Sequence, residues 1–202
     1  MKELSIIIPT YNRKLILEKS LNSLLNQSYP KEKHEILIID DGSNDDTEEF
    51  LKNKKLLGPD IKYFSQDHKG PAAARNEGIK NSRGNIILIV NDDTIATFDL
   101  IKQHMDFHRE HPQVNIGMLG FITWSPKIEI TPFMKWLENS VWQFDYQHIK
   151  GTDATWKRFW TCNVSVKKKF IIDSGLFDEG FPYASWEDVE LGYRMSKENF
   201  VL

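Results

Sequence analysis

The sequence predicts an α/β fold, a mostly parallel central sheet flanked by helices, on three observations. Short β-branched apolar runs alternate with helix-length amphipathic segments through the first 120 residues. The runs are almost continuously apolar, as strands covered on both faces are. Each ends in polar or acidic residues, and in such sheets ligands bind at the carboxyl ends of the strands.

The elements follow in chain order. Leu4-Ser5-Ile6-Ile7-Ile8, ended by Pro9, reads as a buried strand. Leu17, Leu21, Leu24 and Leu25 then share one helical face between Arg13 and Ser28. Ile36-Leu37-Ile38-Ile39 is a second strand, closed by Asp40-Asp41-Gly42-Ser43. Ser43 or Asn44 is placed to cap a helix whose first turn carries Asp45, Asp46, Glu48 and Glu49, favourable beside the positive dipole end. Ile61-Lys62-Tyr63-Phe64 is a short third strand, and Gly70-Pro71 opens an Ala-rich helix that Gly84 closes. Ile86–Val90 is the fourth strand and delivers Asp92-Asp93. A helix from about Thr97 to His111, stopped by Pro112, precedes a strand over Asn115–Phe121.

After residue 120 the texture changes. All six tryptophans lie here (Trp124, Trp136, Trp142, Trp156, Trp160 and Trp186), and Thr123–Trp160 reads as a helix plus loops over a cleft. With no repeat or linker, residues 1–202 read as a single domain with a 1–120 half and a 121–202 half. The closing Asn199-Phe200-Val201-Leu202 looks like the start of a strand, so the sequence is expected to stop short of a longer protein.

Composition narrows the class. Hydrophobic residues at 40% and charged residues at 27% are ordinary for a globular protein, and the net charge of -3 weighs against nucleic acid as a partner. A local basic patch still leaves room for peripheral contact with an anionic membrane. The lone Cys162 excludes an intramolecular disulfide or a Cys-based zinc site and suits a reducing cytoplasm. No apolar run is long enough to span a bilayer, and no signal peptide is read. The expected place is therefore cytoplasmic, including the inner face of the membrane.

Two acidic pairs carry the chemistry, Asp92-Asp93 and Glu187-Asp188. Adjacent carboxylates repel, so a cation or a mobile proton is the usual reason to put them in a cleft. Asp92-Asp93 reads either as a solvated turn or as hard oxygen ligands for Mg²⁺ or Mn²⁺ on a diphosphate. Glu187-Asp188 reads either as the acidic first turn of a helix running to about Glu198 or as a general base walled by Trp186 and Tyr183. Asp40-Asp41-Gly42-Ser43 lacks a calcium-loop pattern, and neither a dinucleotide fingerprint nor a P-loop is present. His104 and His108, spaced i, i+4, read as residues of a solvated helix rather than a metal clamp, and Cys162 as a small buried residue.

The order of motifs resembles the inverting family 2 glycosyltransferases with the GT-A fold. Ser5–Arg13 is similar to that family's opening strand, Ile39–Thr47 to its second signature and Gly70–Gly78 to its third. Thr161–Val166, Gly175–Glu179 and Trp186–Leu191 resemble its acceptor-side half. The resemblance implies a metal-dependent enzyme that moves a sugar from a nucleotide-sugar, UDP being the family-level expectation, to a hydroxyl on a carbohydrate or lipid-linked glycan in polysaccharide or glycoconjugate biosynthesis. It implies that Pro9, Thr10, Tyr11, Arg13, Asp40, Asp41, Gly70, Pro71, Arg75 and Asp92 line the nucleotide-sugar site. It places the divalent cation, Mg²⁺ or Mn²⁺, on Asp93, makes Asp188 the base and puts Glu187 beside it. Asn91 stands where the family commonly has a third acid. Two other readings stay open: a catalytically degenerate nucleotide-sugar-binding or scaffold module, and a nucleotidyltransferase.

Overall fold

The computed structural model describes residues 1–53, 60–140, 143, 145–181 and 185–202. Six strands form one sheet: β1 (Leu4–Thr10), β2 (His34–Asp40), β3 (Ile61–Ser65), β4 (Ile86–Val90), β5 (Met118–Leu119) and β6 (Asn163–Lys167). Their spatial order is β3-β2-β1-β4-β6-β5. The first four run parallel, while β6 runs antiparallel to both β4 and β5. The order reverses on either side of β1, which sets the ends of β1, β2 and β4 side by side.

The described residues form seven α-helices: α1 (Lys14–Leu25), α2 (Thr47–Asn53), α3 (Pro71–Asn81), α4 (Leu100–Glu110), α5 (Pro132–Glu138), α6 (Lys168–Asp173) and α7 (Glu187–Ser196). Strand periodicity divides the core into two layers. Ile6 and Ile8 of β1 pack with Leu17, Leu21 and Leu24 of α1 and Ile101 and Met105 of α4. Ile7 belongs to the opposite layer, with Ala74 and Ile79 of α3, Ile171 of α6 and Leu191 and Met195 of α7. Each of these leucine, isoleucine and methionine side chains contributes about 1.5–3 kcal/mol by leaving water. Gly78 lets α3 lie close on β1, because a Cβ there would come within 2.6 Å of the Ile7 side chain. No described helix is long and apolar enough to cross a membrane.

The structure departs from the sequence reading at several elements. Ser43 and Asn44 do not cap α2; Ser43 Oγ accepts from the Asn12 N–H, and the Asn44 N–H donates to Asn12 Oδ1. The loop after β1 has claimed them, and it is the Asp45 carboxylate that accepts from Thr47 at the helix start. Gly84 lies beyond the end of α3 and permits close approach to β1, where a Cβ would sit 2.5 Å from the Leu4 carbonyl carbon. Helix α4 begins at Leu100 rather than Thr97, whose carbonyl accepts from the Gln27 side chain. The strand expected over 115–121 is divided: Met118–Leu119 pairs with β6, while Ile116 bridges Val201 in parallel. The strand-like ending thus makes a single bridge. Strand β6 and helix α6 were not anticipated, whereas α5 and the turns of 123–160 match the expected helix plus loops. Trp142 lies outside the described residues.

His104 and His108 sit on the inner face of α4, not in solvent. The Lys167 ammonium donates to His108 Nδ1 at 2.7 Å, and His108 Nε2 bonds Ser165 Oγ at 2.8 Å. Ser165 Oγ bonds His104 Nδ1 at 2.7 Å, and His104 Nε2 donates to Asn163 Oδ1 at 2.9 Å. An acceptor at one end and a donor at the other give both rings the same tautomer, protonated on Nε2. Burial pushes His104 down to about 4; burial and the Lys167 charge push His108 down to about 3. Both rings are neutral when folded, whereas the unfolded rings titrate near 6.5. Their contribution is therefore complete above that pH and is lost as pH falls from it toward the folded values. Urea unfolding should show stability declining below pH 6.5 with a slope approaching ~1.4 kcal/mol per pH unit for each histidine. His108→Gln should remove about half of that slope.

Candidate active site

Because β1 and β4 are adjacent and parallel, the residues after each meet at one edge. Thr10 closes β1, and its hydroxyl donates to Asp92 Oδ2 at 2.9 Å. Asn12, at φ 54°, turns the chain back so that Arg13 bridges the acidic pair, Nη1 to Asp92 and Nη2 to Asp93, both at 2.9 Å. Asp92 is buried, and burial raises its pKa despite the opposing Thr10 and Arg13 contacts. The Asp93 side chain is about half exposed, at 47%. The pair is therefore not a solvated turn: one member is interior and the other faces out, with a guanidinium across both.

The acids after β2 are buried and fully engaged. Asp40 accepts from the Ser43 N–H and from the Tyr63 hydroxyl, each at 2.9 Å. Asp41 accepts from Gln66 Nε2 at 2.6 Å and from the Lys69 and Gly70 N–H groups at 2.9 and 2.8 Å. His68 Nδ1 lies 2.7 Å from the same carboxylate. Asp41 thereby clasps the β3–α3 loop to the end of β2. The His68 ring stacks on Tyr11 with centroids 4.1 Å apart, leaving Tyr11 exposed at the rim. Pro9 lies within β1, half-buried and in register with Ile39. Gly70 has φ 91°, which a side chain would strain, and a Cβ there would meet nothing within 4 Å. Pro71 follows as the first residue of α3.

Arg75 and Glu187 are not at this rim. They form a buried ion pair at 2.6 Å between α3 and the start of α7, with side chains 8% and 6% exposed. Asp188, the next residue, is half-buried, and burial together with the Glu187 charge pushes its carboxyl up against the opposing Arg75. Trp186 adopts a left-handed backbone at φ 74° and is 69% exposed, so its ring does not wall Asp188 in. Tyr183 lies outside the described residues.

Cys162 joins the two acidic pairs. Burial raises its thiol to about 11, and the charges of Asp188 and Asp93 add to the rise. Both carboxylates are therefore within electrostatic reach of one sulfur atom. Among the described residues no three His, Cys, Asp or Glu side chains are arranged to hold a metal by themselves. A cation here needs oxygen ligands from a second molecule, which a phosphate supplies. The sequence reading missed His68, Gln66 and Tyr63 as partners of the acids, and Asn76 and Phe177 around Arg75. A histidine two residues before Gly70-Pro71 was the one visible signal.

Comparison with known proteins places these residues in a context. Residues 5–158 match the family described as Glycosyl transferase family 2. An uncharacterised glycosyltransferase of Bacillus subtilis is 28% identical over 95% of this chain and 59% of its own length. Chondroitin synthase of Escherichia coli is 28% identical over 95% of this chain and 32% of its own. The chain thus spans less than two thirds of the length of each of these relatives. Among solved structures, S. aureus TarS 1–349 superposes with a TM-score of 0.70 at 21% identity, covering 96% of this chain and 55% of that one. The mannosyltransferase PcManGT from Pyrobaculum calidifontis, in complex with GDP-Man and Mn²⁺, gives 0.71 at 17% identity, covering 98% and 53%. These likenesses show a GT-A type fold.

The Asp41 clasp gives a stability prediction. Asp41→Ala leaves the Lys69 and Gly70 N–H groups without their acceptor and should cost about 1–3 kcal/mol for each that stays dry. Urea titration measures it, and a cost under about 0.5 kcal/mol would show the loop held by other means.

Proposed function

The chain belongs to glycosyl transferase family 2, and on that premise we propose that it moves a sugar from a nucleotide-sugar to a hydroxyl acceptor with inversion at the anomeric carbon. The observation that carries the proposal is that Asp93 and Asp188, from separate elements, are both near enough to Cys162 for their charges to raise its thiol. A partly exposed carboxylate after β4 and a raised carboxyl at the start of α7 suit a charged donor and a proton-giving acceptor. Donors with UDP or GDP are supported by the ligands named for the solved relatives, UDP-GlcNAc with TarS and GDP-Man with PcManGT. UDP-sugar is the first choice, and a carbohydrate or lipid-linked glycan acceptor follows from polysaccharide synthases such as the E. coli relative.

The residues take these roles in the proposal. Tyr11, stacked on His68, offers a flat face to the base, with Thr10, Pro9 and the Asp40–Asp41 turn beside it. Gly70 lets the backbone come near the nucleotide, since no side chain stands there, and Pro71 starts α3 directly after it. Asp92 is set by Thr10 and Arg13 at the ribose side. Asp93 is the protein ligand for Mg²⁺ or Mn²⁺, its hard oxygens and partial exposure suiting a cation completed by phosphate and water. When bound, the ion neutralises charge on the diphosphate leaving group. Asp188 accepts the proton of the acceptor hydroxyl as that oxygen attacks the anomeric carbon, and the bond to the diphosphate breaks on the opposite side. One displacement inverts the centre.

Because Asp188 works as a carboxylate and its pKa is raised, turnover should increase with pH through an acid limb above the ordinary aspartate value. Asp188→Asn should lower turnover by about 10²–10⁴-fold while leaving nucleotide affinity intact. A thermal-shift screen of UDP- and GDP-sugars with and without Mn²⁺ tests the donor and metal together. Stabilisation requiring both supports the proposal; no response to any would favour a scaffold module, and full turnover after exhaustive chelation would remove the metal from Asp93.

A further inference from the structure

We infer that Arg75, backed by Asn76, is a positioning residue for Asp188 and not a contact to the donor. The inference deepens the proposed function, since it rests on Asp188 as the base. Helix α7 has little local definition at its start: Trp186 is left-handed, and no side chain caps the helix. Three acids in the first turn suit the dipole but do not aim any one of them. The aim comes from α3. Arg75 Nη1 donates to Glu187 Oε1 at 2.6 Å, with both side chains more than nine-tenths buried. Its guanidinium also lies over the Phe177 ring at 5.4 Å. Asn76 holds the same stretch, donating to the Phe177 carbonyl at 2.9 Å and to Glu179 at 2.8 Å, and accepting from the Phe177 N–H at 3.0 Å.

Helix α3 is itself fixed, pressed on β1 at Gly78 and tied to Asp41 through the Gly70 N–H. It acts as a rigid rule between the two ends of the cleft. Successive residues of a helix project about 100° apart. Pinning Glu187 toward α3 therefore fixes the direction of Asp188, which lies toward Cys162 and the Thr161 backbone. Charge follows the same logic. Arg75 neutralises Glu187, so Asp188 keeps one unbalanced carboxylate instead of sharing a proton with its neighbour. Among the described residues, the charged and titratable groups that act on Asp188 are Glu187 on its own helix and Arg75 on α3, and Asp188 in turn raises Cys162 before β6, as Asp93 does. Among the described residues the buried Arg75 Nε has no hydrogen-bond acceptor, so the guanidinium is held by Glu187 and the Phe177 ring.

The test uses the full 202-residue chain and four proteins: wild type, Arg75→Lys, Glu187→Gln and the neutral double variant Arg75→Met/Glu187→Gln. Arg75→Met alone strands a buried carboxylate and risks unfolding, so the double variant is the informative one. Carbon-detected NMR follows the Asp188 carboxyl through its titration, and calorimetry measures UDP and GDP binding with Mn²⁺. In Glu187→Gln the Asp188 midpoint should fall by about one pH unit, and Arg75→Lys should titrate like wild type. The double variant should stay folded, bind nucleotide within about twofold of wild type and turn over sugar nucleotide about 100-fold more slowly. A folded Glu187→Gln variant with an unmoved Asp188 midpoint would overturn the inference. So would a loss of nucleotide affinity of about tenfold or more in the double variant, which would make Arg75 a donor contact. If wild type binds neither nucleotide, the donor reading is what fails, and the titration alone decides the positioning role.

Discussion

Carboxylates buried at the carboxyl edge of a parallel sheet are tolerated only when each has a partner, and here the choice of partners sets the geometry around them. Asp92 has Thr10 and Arg13, Asp41 has two backbone N–H groups, and Glu187 has Arg75. Each contact spans elements distant in sequence, so satisfying the acids is also what joins the elements. The loop after β1 reaches across to the end of β4, the loop before α3 closes on the end of β2, and α7 is drawn onto α3. Removing any one carboxylate would free a cation or a buried donor as well as a charge.

This division also separates scaffolding from chemistry. Asp40, Asp41 and Glu187 have their oxygens directed at internal donors and serve as anchors in this conformation. Asp93 and Asp188 are the members held by fewer internal contacts, and the charge of each raises the same thiol. Arg13 occupies the acidic pair as a cation would and offsets one of its two charges before any other cation arrives. A guanidinium on the partly exposed Asp93 is held weakly enough to be displaced, since exposed ion pairs contribute only about 0–1 kcal/mol.

The parallel half was legible because burial on both faces writes itself as continuous apolar runs: Ile6–Ile8, Ile36–Ile39 and Ile86–Val90 all became strands. The edge on which Thr10, Asp40 and Asp92 gather followed from strand direction alone. The partners of the acids did not follow, because a hydrogen bond between residues 28 or 82 positions apart leaves no local pattern. His104 and His108 show the limit from the other side. Lys102, Arg109 and Glu110 made their helix look solvated, yet the two rings lie on its buried face, where Ser165 and Lys167 complete them. Periodicity locates a face, but only the facing strand decides whether a polar side chain there is satisfied.

The strand that the periodicity did not announce, β6, is the one that brings the two acidic pairs together. Parallel strands present their carboxyl ends at the site edge, whereas an antiparallel strand presents its amino end there. Val90, the last residue of β4, pairs with Asn163, the first of β6. Thr161 and Cys162, just before β6, therefore come down beside the acids just after β4, and the Thr94 hydroxyl bonds the Cys162 carbonyl across that join. Asp188 meets the same two residues from α7, through the Thr161 backbone and the Cys162 thiol. Had β6 run parallel, its amino end would lie at the opposite edge of the sheet, a strand length of roughly 17 Å away. The proposed base and the proposed metal ligand would then have no common neighbour, so the reversal of a single strand is the topological condition for the proposed chemistry.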